Sequence, residues 1–181
     1  LCLFKQISEL NNKLNMKKKI LLTGSSIKGN LGAGAMTSVL IDHLTRKNNH
    51  LKKDIGILSH RYDLDKIFIK KNNIKIFNYG GIIRNTFVNI LLHKLLKINI
   101  FNKNDNYLAF EWCDIVIDIH GINFTESDDW VSSILIPGFM IWCGTLLGKK
   151  TIKFTQTFGP IDSFFKRVLS KFFLSKALLL V

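Results

Sequence analysis

KTIKFTQTFGPIDSFFKRVLSKFFLSK, Lys150 to Lys176, reads as a buried strand, a tight loop and a helix in immediate succession. Thr151, Ile152, Phe154 and Thr155 suit a strand, and Gln156-Thr-Phe-Gly-Pro160 ends it, because glycine relaxes the backbone limits and proline cannot donate to a sheet ladder. Asp162 or Ser163 is placed to cap the helix that follows. Its apolar pairs Phe164/Phe165, Val168/Leu169 and Phe172/Phe173 recur every four residues, with Lys166, Arg167, Ser170 and Lys171 between them. One core face and one basic face are expected. A strand that runs through a loop into a basic helix is where an open α/β sheet binds its ligand, and the bare amides at a helix start favour an anion.

The same alternation continues upstream. Lys19 to Gly24 is the first strand, with Ile20, Leu21 and Leu22 continuously apolar, followed by a glycine-bearing loop and a helix over about 33 to 47 with Met36, Val39, Leu40 and Leu44 on one stripe. Strands are expected at Asp54 to Ser59 and Ile74 to Phe77, with a short helix from Asp63 to Lys71 between them. Ile82 to Ile98 reads as a helix burying Phe87, Leu91, Leu95 and Ile98. Asn99 to Asn106 is a polar loop, Cys113 to His120 the clearest buried strand, and Ala177 to Val181 the start of another. Strands alternating with helices predict an open parallel sheet with helices on both faces, because parallel neighbours need crossovers.

The 181 residues are 47% apolar and carry a formal net charge of +13, which points to anionic partners: nucleic acid, an acidic membrane surface, or a phosphorylated or acidic substrate. Lysine, isoleucine and asparagine are abundant throughout, so a general compositional bias also accounts for the charge. No arginine-rich run, aromatic RNA-binding motif or zinc-finger spacing supports nucleic acid. Cys2, Cys113 and Cys143 are odd in number and far apart, which implies a reduced, cytoplasmic protein. Met16 opens MKKKILLTG like a natural beginning, so residues 1 to 15 are expected to be an upstream extension, without the pattern of a signal peptide. Residues 16 to 181 then form one domain, and the unfinished last strand suggests the amino-terminal portion of something longer.

Several motifs admit two readings. Gly29-Asn-Leu-Gly-Ala-Gly-Ala35 lies between strand and helix, so its glycines serve either ligand approach or a tight turn. It closes as neither a P-loop nor the dinucleotide fingerprint. His120 stands at the carboxyl edge of the best strand and either moves a proton or bonds to backbone. Asp114 and Asp118 share a face of that strand at opposite ends, and Asp118 is expected to be a satisfied residue rather than half of an acid-base pair. His43 is expected to be structural, and His50, His60 and His93 to be surface groups. Trp130 to Gly148 has nearly the about 20 apolar residues of a membrane span, but Pro137-Gly138 and Gly144 interrupt it, and a buried helix is preferred.

Three segments, in order, resemble the polysaccharide pyruvyl transferase family over roughly residues 17 to 181. Asn30-Leu-Gly-Ala-Gly-Ala35 matches its Asn-x-Gly-Asp-Glu-Ala loop, with Ala33 and Gly34 in place of the acids. Asp114-Ile-Val-Ile-Asp-Ile-His-Gly121 matches an apolar strand running into glycines, and Gln156-Thr-Phe-Gly-Pro160 with Arg167 matches a Gln-x-x-Gly-Pro segment before a helix with arginine. The resemblance implies the first Rossmann-like half of a two-domain fold of the glycosyltransferase B type, with much of the donor site in a second domain. It implies transfer of the enolpyruvyl unit of phosphoenolpyruvate to a sugar of a surface polysaccharide or its precursor, without metal or cofactor. His120 and Arg167 are the expected catalytic residues. Asn30, Gly32, Gly121, Gln156, Gly159 and Pro160 are expected to bind substrate. A sugar-nucleotide glycosyltransferase of the same architecture and a noncatalytic half-domain that binds a membrane or a partner are the alternatives. A cytoplasmic location is expected, with the inner face of the membrane open as a place of peripheral contact with acidic lipid or glycan.

Overall fold

The structure, a computed structural model, describes residues 18–28, 31–47, 51–80, 83–98, 103–121, 123–154 and 159–180. The expected upstream extension lies outside them, as do Asn30 and Gln156. Six strands alternate with helices: β1 (Ile20–Ser25), α1 (Leu31–Lys47), β2 (Ile55–Ser59), α2 (Tyr62–Lys71), β3 (Lys75–Asn78), α3 (Ile83–Leu96), α4 (Asp105–Trp112), β4 (Ile115–Asp118), α5 (Ile136–Leu146), β5 (Lys150–Phe154), α6 (Phe164–Leu174) and β6 (Leu178–Leu180). All paired strands are parallel, in the order β3-β2-β1-β4-β5-β6. This is an open, Rossmann-like α/β sheet. Its direction of winding reverses between β1 and β4.

Alternate residues of the inner strands feed two cores. Ile20, Leu22, Ile57, Ile117 and Ile152 pack with Leu40 and Leu44 of α1, whereas Leu21, Leu58 and Val116 pack with Ile90, Phe110 and Met140 of α3, α4 and α5. A third cluster joins Phe124, Ile134, Ile141 and Phe173 between α5 and α6. The apolar run from Trp130 enters this interior as a π-helical turn, Val131–Leu135, continued by α5; Pro137, which has no N–H to give to the helical ladder, stands just past the junction of the two. Among the described residues no helix is long and apolar enough to cross a membrane.

Three helix readings need correction. In α3 Leu95 points outward, 68% exposed, as does Ile98 just past the helix end at 51%, and Ile83, Thr86, Asn89 and Ile90 are buried instead. Thr86 Oγ1 donates to Asn104 Oδ1, so a polar partner across the interface makes that face the inner one. Asn104 also accepts from the Tyr107 amide and caps α4, which turns the end of the expected polar loop into a helix start. Val39 of α1 is exposed. On α6 only part of the apolar pattern is core: Phe173 is buried, whereas Phe164, Phe165, Val168 and Phe172 face solvent.

Candidate functional site

Register builds the site. Thr23 of β1 and Lys153 of β5 both pair with Asp118 of β4, so three neighbouring strands set these side chains in one row on the same face of the sheet. Asp118 is fully buried. Thr23 Oγ1 donates to Asp118 Oδ1 at 2.9 Å, and Lys153 Nζ donates to Oδ2 at 2.5 Å. His120 Nδ1 lies 2.7 Å from Oδ1, and Lys153 Nζ also donates to the His120 carbonyl at 3.1 Å. Burial by itself pushes the Asp118 carboxyl upward; the charges of Lys153 and then of His120, with hydrogen bonds from both, reverse this and hold it well below the usual carboxylate range. The expectation of a satisfied Asp118 agrees with this network. Its lysine partner was not foreseen.

His120 is placed where the strand leaves the sheet. Gly24, at the end of β1, has φ +68°, and a Cβ there would lie 2.2 Å from His120 Nδ1, so only glycine leaves room for the ring. His60, just beyond β2, reaches over from the other side of β1, its ring 5.7 Å from that of His120 and nearly perpendicular to it. Tyr79, just beyond β3, lies 3.9 Å from the His60 ring. Burial, then the neighbouring His120, lowers the His60 pKa, against a smaller opposing pull from Asp118. Burial pushes the Tyr79 phenol up to about 12, with Cys143 adding to it, so the hydroxyl keeps its proton at neutral pH. The ends of β1, β2, β3, β4 and β5 therefore meet at one rim around His120. His60 is exposed, as expected of a surface group, and its ring belongs to that cluster.

The chemistry available there is proton movement. A carboxylate at Nδ1 holds the neutral imidazole with its proton on that atom and leaves Nε2 as the basic nitrogen. The His120 side chain is 18% exposed, enough to be reached and little enough to be held in one orientation. Among the described residues no three His, Cys, Asp or Glu side chains form a group able to hold a metal ion.

The two glycine loops behave differently. After β1, the amides of Ile27 and Lys28 donate to Asp65 Oδ1 of α2 at 3.1 and 2.8 Å, and Ser59 Oγ donates to Oδ2 at 2.6 Å. A buried protein carboxylate thus occupies amides that a phosphate would otherwise meet. Gly34 serves packing, since a Cβ there would lie 2.5 Å from the Ile27 carbonyl oxygen, while Gly32 is exposed in the first turn of α1. After β5, Gly159 lies against Thr125, where a Cβ would be 2.6 Å from Cγ2, and the Pro160 carbonyl accepts from the Glu126 amide at 3.0 Å. Glu126 Oε2 in turn accepts from the amides of Asp162 and Ser163, and its other oxygen pairs with Lys166. A distant acid thus caps α6 in place of Asp162 or Ser163.

Of the expected site residues, His120 and Gly121 stand at the rim, and Gly159 and Pro160 are tied to the loop that continues from them. Arg167 Nε and Nη2 donate to the Ile161 carbonyl at 3.2 and 2.9 Å, and Nη2 reaches the Asp162 carbonyl at 3.4 Å. It braces the segment entering α6. Asp118, Lys153, Thr23, His60 and Tyr79 were missed as site residues. The signals that point to them are the position of Lys153 on the same strand face as Thr151, and the ends of the strands at Ser59 and Asn78.

Fold and rim together define an open α/β protein with a polar cluster at its switch point. Family models, curated proteins and solved structures all fail to match the chain.

Proposed function

We propose that this chain is a pyruvyl transferase-like domain in which His120, held by Asp118, moves the proton of the transfer. The observation that carries the reading is the Asp118–His120 pair at the switch point, beside the fixed cation of Lys153. As imidazolium, His120 gives its Nε2 proton to the methylene carbon of phosphoenolpyruvate. A sugar hydroxyl attacks the cation-like carbon and returns its proton to the His120 imidazole, phosphate departs with its bonding electrons, and a second hydroxyl closes the cyclic ketal as its proton passes to the phosphate. Hydrogen bonds and fixed charges suffice for such a step, so the reading asks for no cofactor. Gly32 and Gly121 line the acceptor side, Gly159 and Pro160 shape the floor of the cleft, and Arg167 meets an anion of the donor by exchanging a carbonyl partner for it. The remainder of the donor site belongs to a second domain. The reading places the protein in the cytoplasm, at an acidic membrane surface where lipid-linked saccharides are built.

The test is phosphate release from phosphoenolpyruvate in the presence of saccharide acceptors, with the ketal detected as a mass increase of the acceptor. His120→Gln is expected to slow it by roughly 10²–10⁴-fold, the range for loss of a general acid. Arg167→Ala is expected to weaken donor binding, and unchanged affinity removes that residue from the site.

The strand order favours one second reading, because it is the order on which nucleotides bind across the switch point. A melting temperature raised by a nucleoside diphosphate sugar and not by phosphoenolpyruvate replaces pyruvyl transfer with glycosyl transfer.

A further inference from the structure

Phe164, Phe165, Val168 and Phe172 lie on one side of α6, with 79%, 62%, 49% and 51% of their surface exposed. At 100° per residue these four cover an arc of about 100°, and the exposed Arg167 and Lys171 fall immediately beside it. The opposite side of the helix, with Leu169 and Phe173, already meets the core shared with α5. So α6 is not a helix with one apolar face; it has a second, and that one is bordered by cations. The eleven residues of α6 include no acid. The nearest carboxylate on the loop packed against it, Glu126, is engaged with Lys166 and the helix-start amides, and Asp162 precedes the helix at its far end from Lys171.

Two tryptophans stiffen the stripe. Trp142 stacks on Phe172 with centroids 4.6 Å apart and planes 15° from parallel, its indole N–H donating to the Phe173 carbonyl, and Trp130 meets Phe165 edge-on at 6.2 Å. Aromatic side chains with one apolar and one polar end suit the boundary between water and acyl chains.

Charge selects the occupant. A second copy carries the same +13 and brings two cationic borders together, which opposes association. An uncharged apolar partner leaves Arg167 and Lys171 without a counterpart. An anionic lipid surface answers both halves of the pattern, apolar arc to acyl boundary and cations to phosphate. We infer that α6 docks the protein onto an anionic lipid surface, its four exposed apolar side chains entering the boundary and Lys171 meeting headgroup phosphates. The helix lies on the membrane and does not cross it. This specifies the acidic-membrane contact of the proposed function and is independent of the reaction itself.

The experiment is sedimentation of the whole chain with vesicles of phosphatidylcholine alone and of phosphatidylcholine mixed with phosphatidylglycerol. Binding to the mixed vesicles that weakens with salt is expected, with little binding to the neutral ones. Phe164→Ser combined with Val168→Ser is expected to weaken it on the order of tenfold or more. Lys171→Gln is expected to weaken it roughly fivefold. Far-UV circular dichroism checks that both variants stay folded, and phosphate release from phosphoenolpyruvate without vesicles, expected to be unchanged in them, separates docking from transfer. Absence of binding by the wild type, equal binding to neutral vesicles, or variants that bind as tightly as the wild type overturns the inference. So does concentration-dependent dimerisation that the double variant abolishes.

Discussion

At the rim of the sheet, Asp118 and Lys153 keep only 0% and 1% of their side chains exposed although both bear charge; on α6, Phe164 and Phe165 present 79% and 62% of their surface to water although both are apolar. Each region places side chains where transfer free energy alone would not. The rim manages it by register: Thr23, Asp118 and Lys153 lie side by side on three strands, and every oxygen of the carboxylate has a donor. The stripe on α6 has no such internal answer. Buried charge is settled inside the fold, whereas exposed apolar surface calls for something outside it.

The largest effect should come from breaking the rim. Asp118→Asn leaves the Lys153 ammonium buried without its counter-charge and is expected to cost about 3–5 kcal/mol in urea denaturation. Replacing both partners, Asp118→Leu with Lys153→Met, should cost much less than the two single changes summed, because no charge is then stranded. Additive losses would mean that the pair is not a unit. Gly24→Ala comes next, at about 2–4 kcal/mol, from a positive φ combined with a methyl group driven into the His120 ring. A crystal structure of that variant should show His120 turned away from Asp118.

Acid should act in one direction. The Asp118 carboxyl is held below its ordinary value, so its ionised form stabilises the fold above the unfolded pKa of about 4, and this contribution is lost as the pH falls further. Glu126 and Asp129 shift the same way, through hydrogen bonds from Lys166 and from Ser132 respectively. The His60 pKa is also lowered, chiefly by burial, so the unfolded chain takes up a proton at this position before the native one does. Stability should therefore begin to fall below about pH 6.5, ahead of the carboxylates. Denaturation midpoints at pH 7, 6 and 5 for wild type and His60→Gln measure the difference. A His60→Gln curve as steep as the wild type between pH 6.5 and 5 would locate the early loss elsewhere.

The sheet was legible because Ile-Leu-Leu and Ile-Val-Ile runs alternate with helical periods, and a strand ending in His120-Gly121 announces an imidazole at the carboxyl edge. Its chemistry was less so. Lysine inside a strand reads as solvent-facing, and the partner of Lys153 is 35 residues away in the chain. His60 and Tyr79 reach the same rim only through the strand order, which local sequence does not encode. For α3 the periodicity favours Leu95 and, past its observed end, Ile98, but a polar partner at Asn104 turns Thr86 inward. On α6 the apolar arc is wider than one neighbour can cover, and periodicity does not say which half the fold uses.

That width gives the smallest expected effect and the one that tests the contrast most directly. Phe164 is 79% exposed, so in the folded chain it has given up little of its contact with water, and removing its ring takes away little burial. Phe164→Ala should therefore change stability by no more than about 0.5 kcal/mol, whereas Phe173→Ala, in the cluster with Ile141, should cost about 3–5 kcal/mol. Both changes delete the same ring from the same helix, so helix propensity and local context largely cancel in the comparison. If the two losses came out alike, the stripe would be covered in solution, and α6 would have to bury both apolar sides against protein.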